Sequence, residues 1–191
     1  MANRWFIADL HLSHNSVVHT FKHSDGSPLR PFKDIEEHDE TIIDNWNKTV
    51  KASDLIYMLG DLSMSRKAIK IAARLNGRKR LIGGNHDFGS IADYQEAGFE
   101  KLYGVKVFNG DYICSHVPLL ESCLDRFVNN CHGHYHSHHV NNPKYLCCSA
   151  EQTNFFPISH EEVKVRMKKN KEAFEETGNV IDWCKVSRGL A

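Results

Sequence analysis

Five short apolar runs, each leading into a turn that carries Asp, Asn or His, constrain the fold of this chain most strongly. The runs span residues 5–8, 55–59, 80–82, 112–114 and 126–128. Short runs of this kind, rich in β-branched and aromatic residues and bounded by turn residues, are typical of buried strands. In layered α/β folds, the side chains that perform chemistry collect beyond the strand ends. The pattern therefore predicts strands whose ends supply one functional site.

Helical segments separate or follow the predicted strands. Apolar residues recur near a 3.6-residue period over 35–50 and over 65–75, and Gly77 stands where the second of these helices is expected to stop. A charged helix is predicted over 159–176, with an apolar stripe that can dock on the rest of the protein. The Asn-Gly pair at 109–110 has the signature of a tight hairpin, so a mixed sheet is expected.

Length and charge narrow the class of protein. The chain has 191 residues, with 24 basic against 24 acidic side chains, 13 histidines and six cysteines. This length predicts one domain over residues 1–191, with the helix at 159–176 packed on it. The neutral charge argues against a protein that grips long nucleic acid. Neither a signal sequence nor a membrane-spanning stretch is expected, and the cysteine pattern suits a reducing compartment, which predicts a cytoplasmic protein. Oligomeric state cannot be read from the sequence.

The polar residues at the strand ends are of metal-ligand types. They are two carboxylates, one amide and four imidazoles, namely Asp9, His11, Asp61, Asn85, His116, His134 and His136. Seven oxygen and nitrogen ligands are too many for one tetrahedral zinc, and the set lacks the sulfur atoms of a closed structural site. If Asp61 bridges, the set gives each of two cations four protein ligands and leaves positions for water and substrate. Two such cations would attract a phosphate group without any basic surface patch.

The motifs that carry these residues resemble those of the calcineurin-like metallophosphoesterase superfamily, in particular its small phage and bacterial members. They are Asp-x-His at 9–11, Gly-Asp at 60–61, Gly-Asn-His-Asp at 84–87, Ser-His at 115–116 and Gly-His-x-His at 133–136. All five stand in the family's order, and the serine departs from the Gly-His of many members. The resemblance implies one metallophosphoesterase domain with a four-layer αββα sandwich, in which two mixed β-sheets are flanked by helices.

The same resemblance implies roles for individual residues. The first metal would be held by Asp9, His11, Asp61 and His136, and the second by Asp61, Asn85, His116 and His134. His86, which is not a ligand in the family, would act on the scissile phosphate as a general acid or as a hydrogen-bond donor to developing charge. Asp87 would orient the His86 imidazole, as carboxylates around metal sites do.

Three further residues are candidates for contact with the substrate. The small members often show Asp-x-His-x-x-His-x-Asn here, and this chain matches that pattern from Asp9 to His14 but has serine at position 16, with Asn15 directly after His14. The resemblance implies that His14 reaches the substrate phosphate, and Asn15 is expected near it. The alternative is a plain loop-to-helix junction, capped by Ser13 or Asn15. Arg30, in the loop over 21–32, would clamp a phosphate or else be an ordinary solvated arginine.

These predictions point to an enzyme of the phosphohydrolase class that uses two divalent metal ions to activate water against a small phosphate ester. A phosphodiester of nucleotide or cyclic-nucleotide type is favoured, because the chain has no basic track and short family members are more often diesterases. The alternatives are a phosphomonoesterase, a nuclease acting on nucleic-acid ends, and a non-catalytic module that binds metal or nucleotide. The ligand set favours Mn²⁺ or Fe, with Zn²⁺ or Ni²⁺ also compatible. No membrane partner is expected.

Overall fold

Nine strands form two mixed β-sheets within residues 2–108 and 111–190, the part of the chain that the computed structural model describes. The strands are β1 Arg4–Ile7, β2 Leu55–Met58, β3 Arg78–Ile82, β4 Phe99–Tyr103, β5 Lys106–Phe108, β6 Tyr112–Cys114, β7 Asn129–His132, β8 Tyr145–Cys147 and β9 Ile158–Ser159. The first sheet has the order β4-β3-β2-β1-β9, and β9 is its antiparallel member. The second has the order β5-β6-β7-β8, with β5 antiparallel to β6.

Helices flank the two sheets. The α-helices are α1 Asn15–His19, α2 Ile35–Thr49, α3 Ile91–Glu96, α4 His160–Thr177 and α5 Trp183–Ser187, and 3₁₀ helices cover Ala68–Arg74, Glu121–Leu124 and Ala150–Thr153. This arrangement confirms the predicted fold class, two mixed sheets with flanking helices. Within residues 2–108 and 111–190, no helix combines the length and the apolar character needed to cross a membrane.

The two long predicted helices are confirmed, and side chains at their first turns explain where they begin. The Asp34 carboxylate accepts a hydrogen bond from the Glu37 N–H at the start of α2, and the Ser159 hydroxyl accepts one from Glu162 at the start of α4. α4 ends at Gly178, which has a left-handed φ of 73°. The helix predicted over 65–75 is instead the shorter 3₁₀ helix at 68–74.

Two apolar layers hold the sheets in place. Between the sheets, Phe6 of β1 stacks on Tyr57 of β2 with ring centroids 5.6 Å apart, and meets Tyr112 of β6 edge-on at 5.9 Å. On the outer face of the first sheet, the fully buried Trp46 of α2 belongs to a cluster that includes Met58. Each layer packs apolar side chains away from water, which is the main favourable contribution to folding.

The second sheet departs from the sequence prediction at β8, which matches none of the predicted runs, and at β7. A strand was expected at 126–128, but Val128 is exposed and β7 begins at Asn129. β7 tolerates a fully buried asparagine, because the Asn130 side chain donates hydrogen bonds to the Ile113 carbonyl and the Ser115 hydroxyl. An apolar-run criterion misses a buried polar strand whose hydrogen bonds are satisfied. The predicted Asn-Gly turn at 109–110 lies outside the described residues, while the strands on either side of it pair antiparallel as expected.

Parallel pairing places the functional strand ends at one edge. β1, β2 and β3 run parallel in the first sheet, and β6 and β7 run parallel in the second. The two sheets are joined at this edge, where the Ala8 N–H donates to the Cys148 carbonyl at 2.9 Å and the Ala150 N–H donates to the Ala8 carbonyl at 3.0 Å. The turns that follow these strands therefore meet.

Candidate metal centre

The predicted ligands converge at this edge in two groups of three. In each group one side-chain oxygen or nitrogen per residue lies within 4.8 Å of the others. The first group is Asp9, His11 and His136, and the second is Asp61, His116 and His134. Asn85 adjoins the second group, because its Oδ1 lies 2.9 Å from His116 Nε2. The structure thus brings all seven residues to one site.

Asp61 lies between the two groups. Its Oδ2 is 3.7 Å from His11 Nε2 in the first group and 3.4 Å from His116 Nε2 in the second. The carboxylate is buried, with 2% of the residue exposed. This is the place that a shared, bridging ligand would occupy.

The backbone at these ligands has a shared and uncommon conformation. Of the eight non-glycine residues with positive φ in the described chain, five are predicted ligands: Asp9, His11, Asp61, His134 and His136. The left-handed region is unfavourable for residues with a Cβ, and such strain persists where the surrounding structure enforces it, commonly at functional sites. Here, each strand turns sharply at its end and so directs the next polar side chain toward the site.

Two glycines of the motifs are required by close approach of the ligands. A Cβ on Gly84 would lie 2.2 Å from Asp61 Oδ1, and a Cβ on Gly133 would lie 2.6 Å from Asp9 Oδ2. Both distances are far inside van der Waals contact, so any larger residue must displace a carboxylate or the backbone.

We expect Gly84→Ala to displace Asp61 and to lower both the stability of the protein and its capacity for metal. Overpacking of this kind costs about 1–3 kcal/mol. Gly104→Ala is the matched control, because a Cβ there meets nothing within 4 Å. Thermal unfolding and elemental analysis of both variants after loading with Mn²⁺ test the expectation. Equal metal content in the two variants would contradict it.

The chemistry of the first group fits a bound cation, because its His11 imidazole is buried without a hydrogen-bond partner. His11 is 3% exposed, and neither of its ring nitrogens has a hydrogen-bond partner among the described residues. A buried polar group without a partner is costly, whereas a bound cation would satisfy the ring nitrogen that faces Asp9 and Asp61. The donor set, imidazoles with carboxylates, fits a divalent transition-metal ion.

Burial and hydrogen bonding set opposite pKa shifts within the site. Burial lowers the pKa of His11 to about 2, which keeps the imidazole in the neutral form that binds metals. Burial raises the pKa of Asp9 to about 6. For Asp61, burial opposes ionisation, but hydrogen bonds from His116 and from the His86 N–H lower its pKa to about 2. For His116, burial opposes protonation of the ring, but the carboxylates of Asp61 and Asp9 raise its pKa to about 9.

The two groups open onto a cavity of about 800 Å³. His86 lines it next to the centre, with its N–H donating to Asp61 Oδ1 at 2.9 Å and its ring centroid 5.6 Å from that of His11. Its Nδ1 is buried and has no hydrogen-bond partner among the described residues. His86 therefore lies in the cavity wall beside both ligand groups.

Of the two substrate-contact candidates at the start of α1, His14 lines the cavity and Asn15 does not. His14 lines the cavity, with its ring centroid 5.4 Å from that of His11. Asn15 is exposed on α1 and is not among the cavity's lining residues, so the structure does not place it near the centre. The alternative, a side-chain cap by Ser13 or Asn15, is also wrong, because His14 is the N-cap residue and the Ser13 hydroxyl donates to Asp39.

Asp87 does not orient the His86 imidazole, and that prediction is wrong. Its carboxylate accepts hydrogen bonds from the backbone N–H groups of Asp61, Leu62 and Gly84 at 2.9, 3.1 and 2.7 Å. Both oxygens are thus engaged with backbone. Asp87 instead ties together the two turns that present Asp61 and His86.

Arg30 cannot clamp a substrate phosphate, because it is fully buried. Its guanidinium donates to the Glu151 carboxylate at 2.8 Å, to the Leu10 carbonyl at 2.7 Å and to the Asp9 carbonyl. Its Nη1 also lies 2.8 Å from Nε2 of the buried His38. Arg30 therefore stabilises the turn that carries Asp9, and the prediction of a substrate contact is wrong.

Glu151 is a site residue that the sequence analysis missed. Its Oε1 lies 3.1 Å from His136 Nδ1, and since a carboxylate oxygen only accepts, the Nδ1–H donates. This bond leaves His136 Nε2 to face Asp9, 3.9 Å from its Oδ1. Carboxylates that orient metal-binding histidines in this way are common. The sequence does contain one indication of this role: Glu151 is the one charged residue between 145 and 159, in an otherwise uncharged segment.

Comparison with solved structures identifies similar folds. The protein of unknown function AQ665 from Aquifex aeolicus is similar with a TM-score of 0.62 and 24% identity, covering 86% of this chain and 99% of its own. The Pseudomonas putida nuclease MPE has a TM-score of 0.45 and 17% identity, over 70% of this chain and 61% of its own. A novel archaeal phosphodiesterase has a TM-score of 0.44 and 16% identity, over 77% and 82%. The Aquifex protein therefore shares the fold of this chain.

Sequence comparison gives a closer relationship. No protein-family model matches the chain. The uncharacterized protein MJ1445 of Methanocaldococcus jannaschii is 32% identical over 171 residues, which cover 83% of this chain and 88% of that protein. Identity at this level over nearly the whole length of both chains establishes common descent, and the chain therefore belongs to the same protein family as MJ1445.

Proposed function

We propose that this protein is a phosphohydrolase of the calcineurin-like metallophosphoesterase type, which holds two divalent metal ions and cleaves a small phosphodiester. The observation that carries the proposal is the pair of adjacent ligand groups with the Asp61 carboxylate between them. Asp61 Oδ2 lies 3.7 Å from His11 Nε2 and 3.4 Å from His116 Nε2, so one carboxylate serves both groups. A carboxylate shared in this way would hold two cations close together, as two-metal hydrolysis needs.

In the proposed enzyme, each of the two ligand groups would hold one cation, and Asp61 would contribute to both. One cation would be held by Asp9, His11, Asp61 and His136, and the other by Asp61, Asn85, His116 and His134. When bound, the pair would lower the pKa of a coordinated water and polarise the phosphoryl oxygens. Mn²⁺ or Fe is proposed from the oxygen and nitrogen ligand set, which is also compatible with Zn²⁺ or Ni²⁺.

The chain's own side chains complete the proposed chemistry. His86, which lines the cavity beside both groups, would hydrogen-bond the phosphoryl group and give a proton to the leaving oxygen. His14, on the same wall, would contact a non-bridging phosphoryl oxygen. The carboxylates of Asp87 and Glu151 act indirectly, by holding the turns and the rings that present the ligands.

Chelation tests the proposal directly. With Mn²⁺ the protein should hydrolyse bis-p-nitrophenyl phosphate, and treatment with EDTA followed by desalting should abolish the activity. Adding back Mn²⁺ should restore it and raise the midpoint of thermal unfolding, since an ion at 100 times its dissociation constant stabilises the folded state by about 2.7 kcal/mol. Parallel assays with p-nitrophenyl phosphate separate diesterase from monoesterase activity. Activity that survives chelation would contradict the two-metal proposal.

A further inference from the structure

The cavity over the metal centre has two exposed aromatic side chains in its wall. Phe21 and Tyr135 both line it, and they are 44% and 38% exposed. Single exposed apolar residues are ordinary on protein surfaces. These two differ because they share one cavity with the ligands of a proposed phosphohydrolase. Their rings offer flat apolar surface at the point where a bound ester would place its organic substituents.

The two rings adjoin different ligand groups. The Phe21 ring packs edge-on against His14 with centroids 5.9 Å apart, and His14 in turn lies 5.4 Å from His11 of the first group. The Tyr135 ring lies 6.0 Å from that of His134 in the second group. A phosphorus atom held between the two ligand groups would therefore have the Phe21 ring on the side of the first group and the Tyr135 ring on the side of the second. This geometry suits an ester with two organic substituents, one beyond each ligand group.

The charge of the cavity limits the length of the substrate. Among the lining residues in the described chain, Lys22 alone carries a permanent positive charge. Proteins that follow a long phosphate backbone need many such contacts, since each phosphate is neutralised by a lysine or arginine. The volume of about 800 Å³ is within the range of pockets that enclose small ligands. The cavity thus fits one or two nucleotide units.

We propose that Phe21 and Tyr135 are two base-stacking subsites, and that the substrate is a short nucleotide diester with a planar base on each side of the scissile phosphate. The inference rests on the proposed phosphodiesterase function. Stacking on an aromatic side chain contributes affinity for any base, because every base has a π-face. The subsites therefore select for bases without selecting a particular sequence.

The test compares a 3′,5′-linked deoxydinucleotide with its abasic counterpart, which has the same sugars and phosphodiester but no bases. With Mn²⁺, the wild-type protein should hydrolyse the dinucleotide with a kcat/KM at least about fivefold higher for each stacked base. Phe21→Leu and Tyr135→Leu remove a ring and keep an apolar side chain at an exposed position. Each should lower the ratio of the two kcat/KM values about tenfold. Thermal unfolding establishes that the variants are folded.

Phe156→Leu is the matched control, because Phe156 is 37% exposed but is not among the residues that line the cavity. Its ratio should equal that of the wild type. Equal hydrolysis of the two substrates by the wild-type protein would overturn the stacking inference while the phosphodiesterase function stands. A ratio that falls in only one of the two variants would overturn the two-sided arrangement. Hydrolysis of bis-p-nitrophenyl phosphate but of neither of these two substrates would also overturn the inference, whereas hydrolysis of none of the three with Mn²⁺, Fe²⁺, Zn²⁺ or Ni²⁺ would contradict the proposed function.

Discussion

Asp61→Asn should nearly abolish phosphodiesterase activity. The substitution keeps the size of the side chain but removes the charge of the one carboxylate that lies between the two ligand groups. Metal ions contribute several kcal/mol of transition-state stabilisation, so the loss of a properly held pair should lower kcat/KM by about 10³-fold or more. Elemental analysis should find fewer than two equivalents of Mn²⁺ per chain in this variant and two in the wild type.

Asp54→Asn controls for damage to the fold. Asp54 is 3% exposed, similar to Asp61, but it precedes β2, whereas Asp61 follows that strand. It accepts hydrogen bonds from the Asn3 backbone N–H and the Trp5 indole. We expect a lower midpoint of thermal unfolding with two equivalents of metal retained. If Asp61→Asn keeps both its metal and its activity, the bridging role is wrong.

His86→Ala should lower the rate of hydrolysis without removing metal. A general acid contributes about 10²–10⁴-fold, and its contribution depends on the leaving group. For a dinucleotide, whose leaving alkoxide needs a proton, we expect a loss in that range. For bis-p-nitrophenyl phosphate, whose leaving group is stable as an anion near neutral pH, the loss should be much smaller. The measurement is kcat for both substrates, with metal content determined in parallel.

The two substrates separate the roles of His86. An equal loss for both would contradict proton donation and indicate instead a hydrogen bond to the developing charge on phosphorus. Loss of metal from His86→Ala would contradict its assignment as a residue outside the ligand set. His19→Ala is a suitable control, because His19 is an exposed histidine in the last turn of α1 and does not line the cavity.

The ligand positions were predictable because they depend on local rules. Each of the predicted ligands follows a strand within a few residues, and parallel strands of one sheet end at the same edge. The glycine before Asp61 has a left-handed φ of 93°, which its turn requires, and the glycine before His134 leaves room for the Asp9 carboxylate. The family resemblance then supplied the division into two groups, which is the division that the structure displays in space.

Residues whose roles depend on distant partners could not be predicted in this way. Arg30 and Glu151 are 121 positions apart, and only the folded structure shows that they form a buried ion pair. This pair contacts the Asp9 backbone and the His136 ring. A solvated arginine and a buried one look the same in sequence. The same holds for Asp87, whose carboxylate binds backbone N–H groups at two separate turns instead of the adjacent histidine.

Sequence patterns alone predicted which side chains form the candidate site and that they follow strands, because side-chain type and strand-end position are local properties. How these side chains are held depends on tertiary packing. The pairing of two sheets through Ala8 brings ligands from residues 9 to 136 within a few ångströms, and a buried network of Arg30 and Glu151 supports them from behind. Tertiary packing also places Phe21 and Tyr135 in one cavity. Contacts of this kind depend on burial and on chain segments far apart in sequence, which no local pattern encodes.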